Sequence, residues 1–167
     1  ESMPVATCLF VLLMHPAPPG GDPLGAAVVH ALEFAAAQLD AATLAVASTR
    51  YPNRTGPSGT WVSTDPDEWT SGFFPGCLWL LHEGSGDALW RSRAEDWLVA
   101  LEGEKDDTST HDVGFKILPS FGNAFRLTSA DVQRRIVLDG AASLATRYDP
   151  LVRATRSWDG PTSSDFR

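Results

Sequence analysis

Two Gly-Phe steps, Gly72-Phe73 and Gly114-Phe115, lie about 42 residues apart and constrain this chain more than any other feature. Each ends a polar loop and opens an apolar run of helical length. Residues 73–83 carry Phe73, Phe74, Cys77, Leu78, Trp79, Leu80 and Leu81. A helix that is apolar nearly all round has to be covered on most sides, so this is an inner helix. Residues 88–102 put Trp90, Ala94, Trp97, Leu98 and Leu101 on one stripe and Arg91, Arg93, Glu95 and Asp96 on the rest, the pattern of an outer helix. The order then returns. Residues 115–127 place Leu118, Phe121 and Phe125 on one stripe, and residues 131–147 offer Val132, Ile136, Gly140, Ala141 and Leu144 as a buried stripe. Repeated helix pairs bury their faces on one another. The expected fold class is all-α, in inner/outer pairs, arranged as an open solenoid or as an α/α toroid. Long aromatic loops precede the inner helices and short loops follow them. That asymmetry fits a toroid with one decorated mouth, where a ligand sits in the concave centre.

Before the first pair, Leu24, Ala27, Val28, Ala31, Leu32, Ala35 and Leu39 recur at helical spacing and predict a helix from residue 24 to about 47. About five helices result. Residues 49–71, rich in Pro, Gly, Ser and Thr, read as one long loop, and such a loop in a compact domain is usually functional. Pro75 suits a first helical turn. Gly84 and Gly86 are stop signals. Pro119 sits in the first turn of its helix or kinks it. Thr128 and Asp131 suggest a capping pair, and Cys77 is expected as a buried thiol. No strand-like alternation appears in the core region, and residues 148–167 read as loop.

The helical domain is expected over residues 24–167, after a leader at residues 1–23. Within the leader, residues 5–14 are apolar and Pro16, Pro18, Pro19, Gly20 and Gly21 follow. Such a run is about half of the ~20 residues that span a bilayer. It is the core of a signal peptide or a ragged start, because Glu1 precedes it and no Lys or Arg flanks it. A cytoplasmic or secreted location is expected rather than a membrane-spanning one. A net charge of −8 excludes nucleic acid as a partner, since no basic patch exists to release its counterions. Cys8, Cys77, His15, His30, His82 and His111 share no ligand spacing, so neither a metal site nor a disulfide is expected, and no cofactor is implied. Six Trp and eight Phe are more than packing needs and suit a ligand with flat faces, such as a sugar.

The chemistry is concentrated in His111-Asp112-Val113-Gly114-Phe115. A carboxylate directly after an imidazole, at the junction of a polar loop and a helix, is placed either to cap that helix or to exchange protons with a substrate. Gly114 is expected to be the tight position that fixes how the loop enters the helix. Asp67-Glu68-Trp69-Thr70-Ser71-Gly72-Phe73 delivers acidic and aromatic groups at the equivalent place one repeat earlier. Asp65, Asp67 and Glu68 are expected to be solvated or capping groups.

These residues also carry a family resemblance. Asp67-Glu68-Trp69-Thr70-Ser71-Gly72-Phe73, Leu78-Trp79-Leu80-Leu81-His82-Glu83, Gly86-Asp87, His111-Asp112-Val113-Gly114-Phe115 and Ser157-Trp158-Asp159, in that order and spacing, resemble the unsaturated glucuronyl hydrolases, glycoside hydrolase family 88. The likeness runs over about residues 31–167. It implies an (α/α)6 barrel, of which this chain would be an N-terminal portion of about five helices. It implies a substrate left by a polysaccharide lyase, an oligosaccharide ending in a 4,5-unsaturated uronic acid. One acidic group protonates C4 of the vinyl ether, water adds at C5, and the hemiketal collapses to release the sugar. Of the family's two aspartates the first matches Asp112. The second lies in an Ile-Asp-Asn-like motif shortly after an Arg that matches Arg167. Trp69 matches the stacking aromatic for the unsaturated sugar, Trp158 would flank the neighbouring sugar, and His111 would orient the loop or touch substrate. The alternative is a truncated, catalytically inactive sugar-binding or scaffold fragment.

Overall fold

The computed structural model of the chain describes residues 22–158. The apolar run at residues 5–14, Cys8, His15, Asp159 and Arg167 lie outside the described residues. The helices are α1 (Pro23–Ala45), α2 (Phe73–Ser85), α3 (Ala88–Leu101), α4 (Val113–Ile117), α5 (Asn123–Thr128) and α6 (Asp131–Ala145). A π turn at Leu118–Gly122 joins α4 to α5 in one rod. The described residues thus form five rods, an arc of an α/α toroid.

The ends follow from local chemistry. Gly86 takes φ 71°, a left-handed conformation open to glycine without a Cβ penalty, and its N–H bonds to the His82 carbonyl to stop α2. Gly84 lies inside α2. Asp87 caps α3 by accepting from the Leu89 N–H at 2.8 Å. The expected Thr128–Asp131 capping pair is not formed: Ala130 occupies the cap position, and the Thr128 hydroxyl donates to the Ala124 carbonyl.

The two inner rods run parallel, side by side, at an offset that mirrors the sequence repeat. At one end Gly72 lies against the backbone carbonyls of Phe115 and Lys116, and one turn on Gly76 lies against Pro119. At the other end Arg126 grips Glu83 through two guanidinium nitrogens. Pro119 explains the closeness. It has no N–H to offer the preceding turn, so the ladder widens into a π turn and frees carbonyls. The Ser120 and Asn123 side chains donate to the Lys116 and Pro119 carbonyls. The faces with no side chain, at Gly72 and Gly76, lie against the carbonyls of Phe115, Lys116 and Pro119. Gly114, in contrast, has room: a Cβ there would meet only Leu144, at 4.0 Å. The tight glycine is therefore Gly72, because only its side of the inner pair presses on backbone.

Gly72→Ala is expected to lower stability by about 3 kcal/mol, since the new methyl overlaps two carbonyl oxygens that cannot rotate away. Gly114→Ala should cost much less. Thermal unfolding of the two variants checks this, and equal midpoints would contradict the close approach.

The core lies between the inner and outer rods. Leu78, Trp79 and Phe74 of α2 pack with Trp90, Ala94, Trp97, Leu98 and Leu101 of α3, and Val113, Ile117, Phe121 and Ala124 pack with Ile136 of α6. The expected stripe of α6 is realised only at Ile136, Gly140 and, in part, Leu144; Val132 and Ala141 are exposed, so the buried face is narrower. On α2, Phe73, Cys77 and Leu80 form an exposed line. Cys77 is thus an exposed thiol rather than a buried one, because it lies on the flank of α2 that turns away from α3.

Two expectations of loop need correction. The segment at residues 49–71 contains an antiparallel hairpin, β1 (Tyr51–Thr55) with β2 (Trp61–Thr64). The turn residues Gly56, Pro57 and Gly59 gave the impression of loop, but they separate two short runs rich in aromatic and β-branched residues. Its anchor is reciprocal: the buried Tyr51 hydroxyl donates to the Trp97 carbonyl at 2.8 Å, and the Trp97 indole N–H donates to the Arg50 carbonyl at 3.0 Å. A second short hairpin, β3 (Tyr148–Asp149) with β4 (Ala154–Thr155), lies in the stretch expected as loop. Helix α1 forms as expected, yet only its second half meets the core, through Ala36, Leu39 and Ala42 and an Asp40–Arg93 ion pair to α3. Leu24, Val28 and Leu32 are exposed in this arc.

Candidate active site

Both loops that precede inner rods come to the same end of the arc. Trp69 sets its ring edge against Phe73 and Phe115, with centroids 5.9 and 6.0 Å apart, and Phe73 lies 6.0 Å from Phe115. Each of the three rings is at least a third exposed, so the group is a surface cluster, not core. The Phe115 N–H bonds to the Asp112 carbonyl at 2.8 Å. Asp112 therefore stands one helical turn from the aromatic cluster, at the same mouth.

The Asp112 carboxylate does not cap α4. Its backbone occupies the cap position, but no cap hydrogen bond comes from its side chain. The carboxylate turns instead to three side chains. Oδ2 accepts from the Thr110 hydroxyl at 2.9 Å and from the Trp158 indole N–H at 2.9 Å. Oδ1 lies 3.3 Å from His111 Nε2. The His111 and Trp158 rings are in contact, with centroids 5.0 Å apart. His111 Nδ1 is buried and has no hydrogen-bond partner among the described residues. Asp112 is 9% exposed, enough to be reached from the mouth while largely dry.

A second layer holds the loop from Asp107 to Asp112. Lys116, 1% exposed, drives its ammonium between Glu104 at 2.7 Å and Asp107 at 2.9 Å. Burial alone pulls Lys116 toward neutrality, but the hydrogen bonds and the charges of Glu104 and Asp107 outweigh it and hold the ammonium above the ordinary lysine range. Burial pushes Asp107 up, but donors from Ser109 and Lys116 hold it below the ordinary carboxylate range. Arg147, buried at the end of α6, donates to the Thr108 and Arg156 carbonyls and ties this loop to the β4 segment.

The residues expected from the sequence thus converge in part. Asp112, His111 and Trp158 are in mutual contact, and Trp69 joins them through Phe115. Asp65 pairs with Arg50 beside the hairpin, away from this cluster. Thr110, Lys116 and Arg147 were missed. Thr110 had a local signal, a hydroxyl two residues before an acid. Lys116 had none, since a lysine one turn into an amphipathic helix reads as solvated. Among the described residues no group of three His, Cys, Asp or Glu side chains is placed to hold a metal ion, and no helix is long and apolar enough to cross a membrane.

No protein-family model matches the chain. Similar proteins nonetheless point one way. An unsaturated glucuronyl hydrolase of Formosa agariphila is 44% identical over 94 residues, 55% of this chain and 23% of that protein. The crystal structure of an unsaturated glucuronyl hydrolase specific for heparin superposes with a TM-score of 0.74 at 36% identity, over 78% of this chain and 35% of that one. An Asp-to-Asn variant of the Streptococcus agalactiae enzyme, complexed with dGlcA-GalNAc6S, superposes with a TM-score of 0.63 at 27% identity, over 72% and 33%. The chain spans about a quarter to a third of these relatives. With its inner/outer rods, its paired Gly-Phe loops and this shared sequence, the chain is similar to part of the unsaturated glucuronyl hydrolases, and its rods to a portion of their α/α toroid.

Proposed function

We propose that this chain forms part of a glycoside hydrolase that removes a terminal 4,5-unsaturated uronic acid from lyase-generated oligosaccharides. The observation that carries this reading is the carboxylate of Asp112. It leaves the helix end uncapped and faces the mouth in a nest of donors beside exposed aromatic rings. A group needed only for stability would cap the helix it begins. Asp112 moves protons in the hydration of the C4–C5 double bond: a proton reaches C4, water adds at C5, and the hemiketal opens to release the next sugar. His111, next to Oδ1, orients the loop and borders the substrate. Trp69 offers its exposed face to the unsaturated ring, and the face of Trp158 flanks the next sugar. The bound dGlcA-GalNAc6S of the streptococcal relative supports a substrate of this class.

The test is the ultraviolet absorbance of an unsaturated disaccharide, which disappears on hydration, followed with a full-length enzyme carrying this segment. Trp69→Ala should raise KM by about fivefold, the equivalent of ~1 kcal/mol of lost stacking, with the thermal midpoint nearly unchanged. Trp69 is half exposed, so little core is lost. Absence of any absorbance change with the parent enzyme would refute the proposed activity. A Trp69→Ala variant that unfolds would make Trp69 a packing residue.

A further inference from the structure

The two oxygens of Asp112 are not equivalent. Oδ2 is saturated by two donors at 2.9 Å, the Thr110 hydroxyl and the Trp158 indole N–H. Oδ1 has only the looser approach of His111 Nε2, at 3.3 Å. The direction of both bonds to Oδ2 is unambiguous for an ionised carboxylate. Indole nitrogen can only donate. The Thr110 hydroxyl already accepts from the Asp112 N–H at 3.0 Å, so its own proton is free to point at the carboxylate.

Much of the local fold serves to bring Trp158 to this place from 46 residues away. Thr110 and Trp158 form a backbone bridge, and the His111 N–H donates to the Ser157 carbonyl at 2.8 Å. Arg147 crosses beneath, joined to the carbonyls of Thr108 and Arg156. The indole face stays half exposed while its N–H is committed to the carboxylate.

We infer that Trp158 and Thr110 are positioning residues for Asp112. Together they fix the rotation of its carboxylate and reserve Oδ1, on the His111 side, as the oxygen that takes up and releases the catalytic proton. A proton placed on Oδ2 would displace one of two good hydrogen bonds; on Oδ1 it displaces neither. This inference rests on the hydration reading above and adds to it a role for the N–H of Trp158, separate from its face. Other charged groups nearby are engaged elsewhere. Lys116 of α4 is held by Glu104 and Asp107, and Arg147, just after α6, reaches carbonyls, which leaves His111 as the titratable neighbour paired with Asp112 among the described residues.

The experiment measures kcat and KM on an unsaturated disaccharide, with a full-length enzyme carrying this segment. Trp158→Phe keeps an aromatic face and removes the N–H. Thr110→Val removes the hydroxyl, and Thr110→Ser restores it. Trp158→Phe should lower kcat by about tenfold, with KM within about twofold. Thr110→Val should lower kcat the same way, and Thr110→Ser should return it. A higher KM in Trp158→Phe with kcat unchanged would make Trp158 a sugar platform alone and overturn the inference. So would an unchanged kcat in Thr110→Val. If Trp158→Phe does not fold, the Thr110 pair decides by kcat. Asp112→Asn separates the two levels: full activity there defeats the hydration reading itself, whereas an inactive Asp112→Asn beside an unchanged kcat in Trp158→Phe and Thr110→Val defeats only the positioning roles.

Discussion

Asp112→Asn in a full-length enzyme carrying this segment is expected to lower turnover of an unsaturated disaccharide by about 10²–10⁴-fold. The amide is nearly the shape of the acid and can still accept from Thr110 and Trp158 through its oxygen. What it cannot do is give up or take a proton near neutral pH. The structure makes the substitution a clean one, because the Asp112 side chain carries no capping bond for α4 to lose. The thermal midpoint should therefore move little while the absorbance decay is all but lost. A variant that keeps its activity would remove Asp112 from the chemistry. A variant that loses activity together with several kcal/mol of stability would mean that the carboxylate holds the loop instead.

The second large effect concerns stability. Lys116→Met should destabilise the fold by about 3 kcal/mol, roughly 10 °C in the thermal midpoint. Removing the buried ammonium leaves Glu104 and Asp107 facing each other, each about one-fifth exposed, without the cation that offsets their desolvation. Their partial exposure and the chance for one of them to take a proton keep the loss toward the lower end of what a broken buried pair costs. The pH dependence has two signs. Asp107 has a folded pKa below its unfolded value, so its contribution is present above about pH 4 and fades as the pH falls through the folded value. Lys116 has a folded pKa above its unfolded value, so its contribution is complete below about pH 10.5 and fades as the pH rises through the folded value. The gap between parent and Lys116→Met midpoints should thus be widest across the neutral range and narrow toward both extremes. A gap independent of pH would show that the loss comes from packing of the methylene stem alone.

Several features were legible because they depend on local periodicity. The apolar runs after Gly72 and Gly114 could be covered only as inner helices, and the stripe of Trp90, Ala94, Trp97, Leu98 and Leu101 marked an outer one; all of that stripe is buried in the structure. The placing of Asp112 and Trp69 at one mouth followed from their equivalent positions before two repeated helices. The hairpin of β1 and β2 was hidden because its strands are short and anchored by contacts to α3, through Tyr51 and Trp97, that are 46 and 47 residues distant in sequence.

Helix identity, the inner/outer order and the repeat offset were determined by the sequence alone, since helical periodicity is a property of a few consecutive turns. Which glycine is tight, which lysine is buried and what Asp112 touches were decided only in the tertiary structure. Gly72 and Gly114 stand in the same local motif, yet of the two Gly72 alone meets backbone carbonyls of the neighbouring rod, those of Phe115 and Lys116. Lys116 looks solvated in its own helix and becomes buried because the turn from Glu102 to Asp106 folds over it with a carboxylate on either side. Trp158 reaches Asp112 because backbone pairing and Arg147 bring a distant segment alongside. Each of these depends on which surfaces meet, and partners far apart in sequence leave no local pattern from which that meeting can be read.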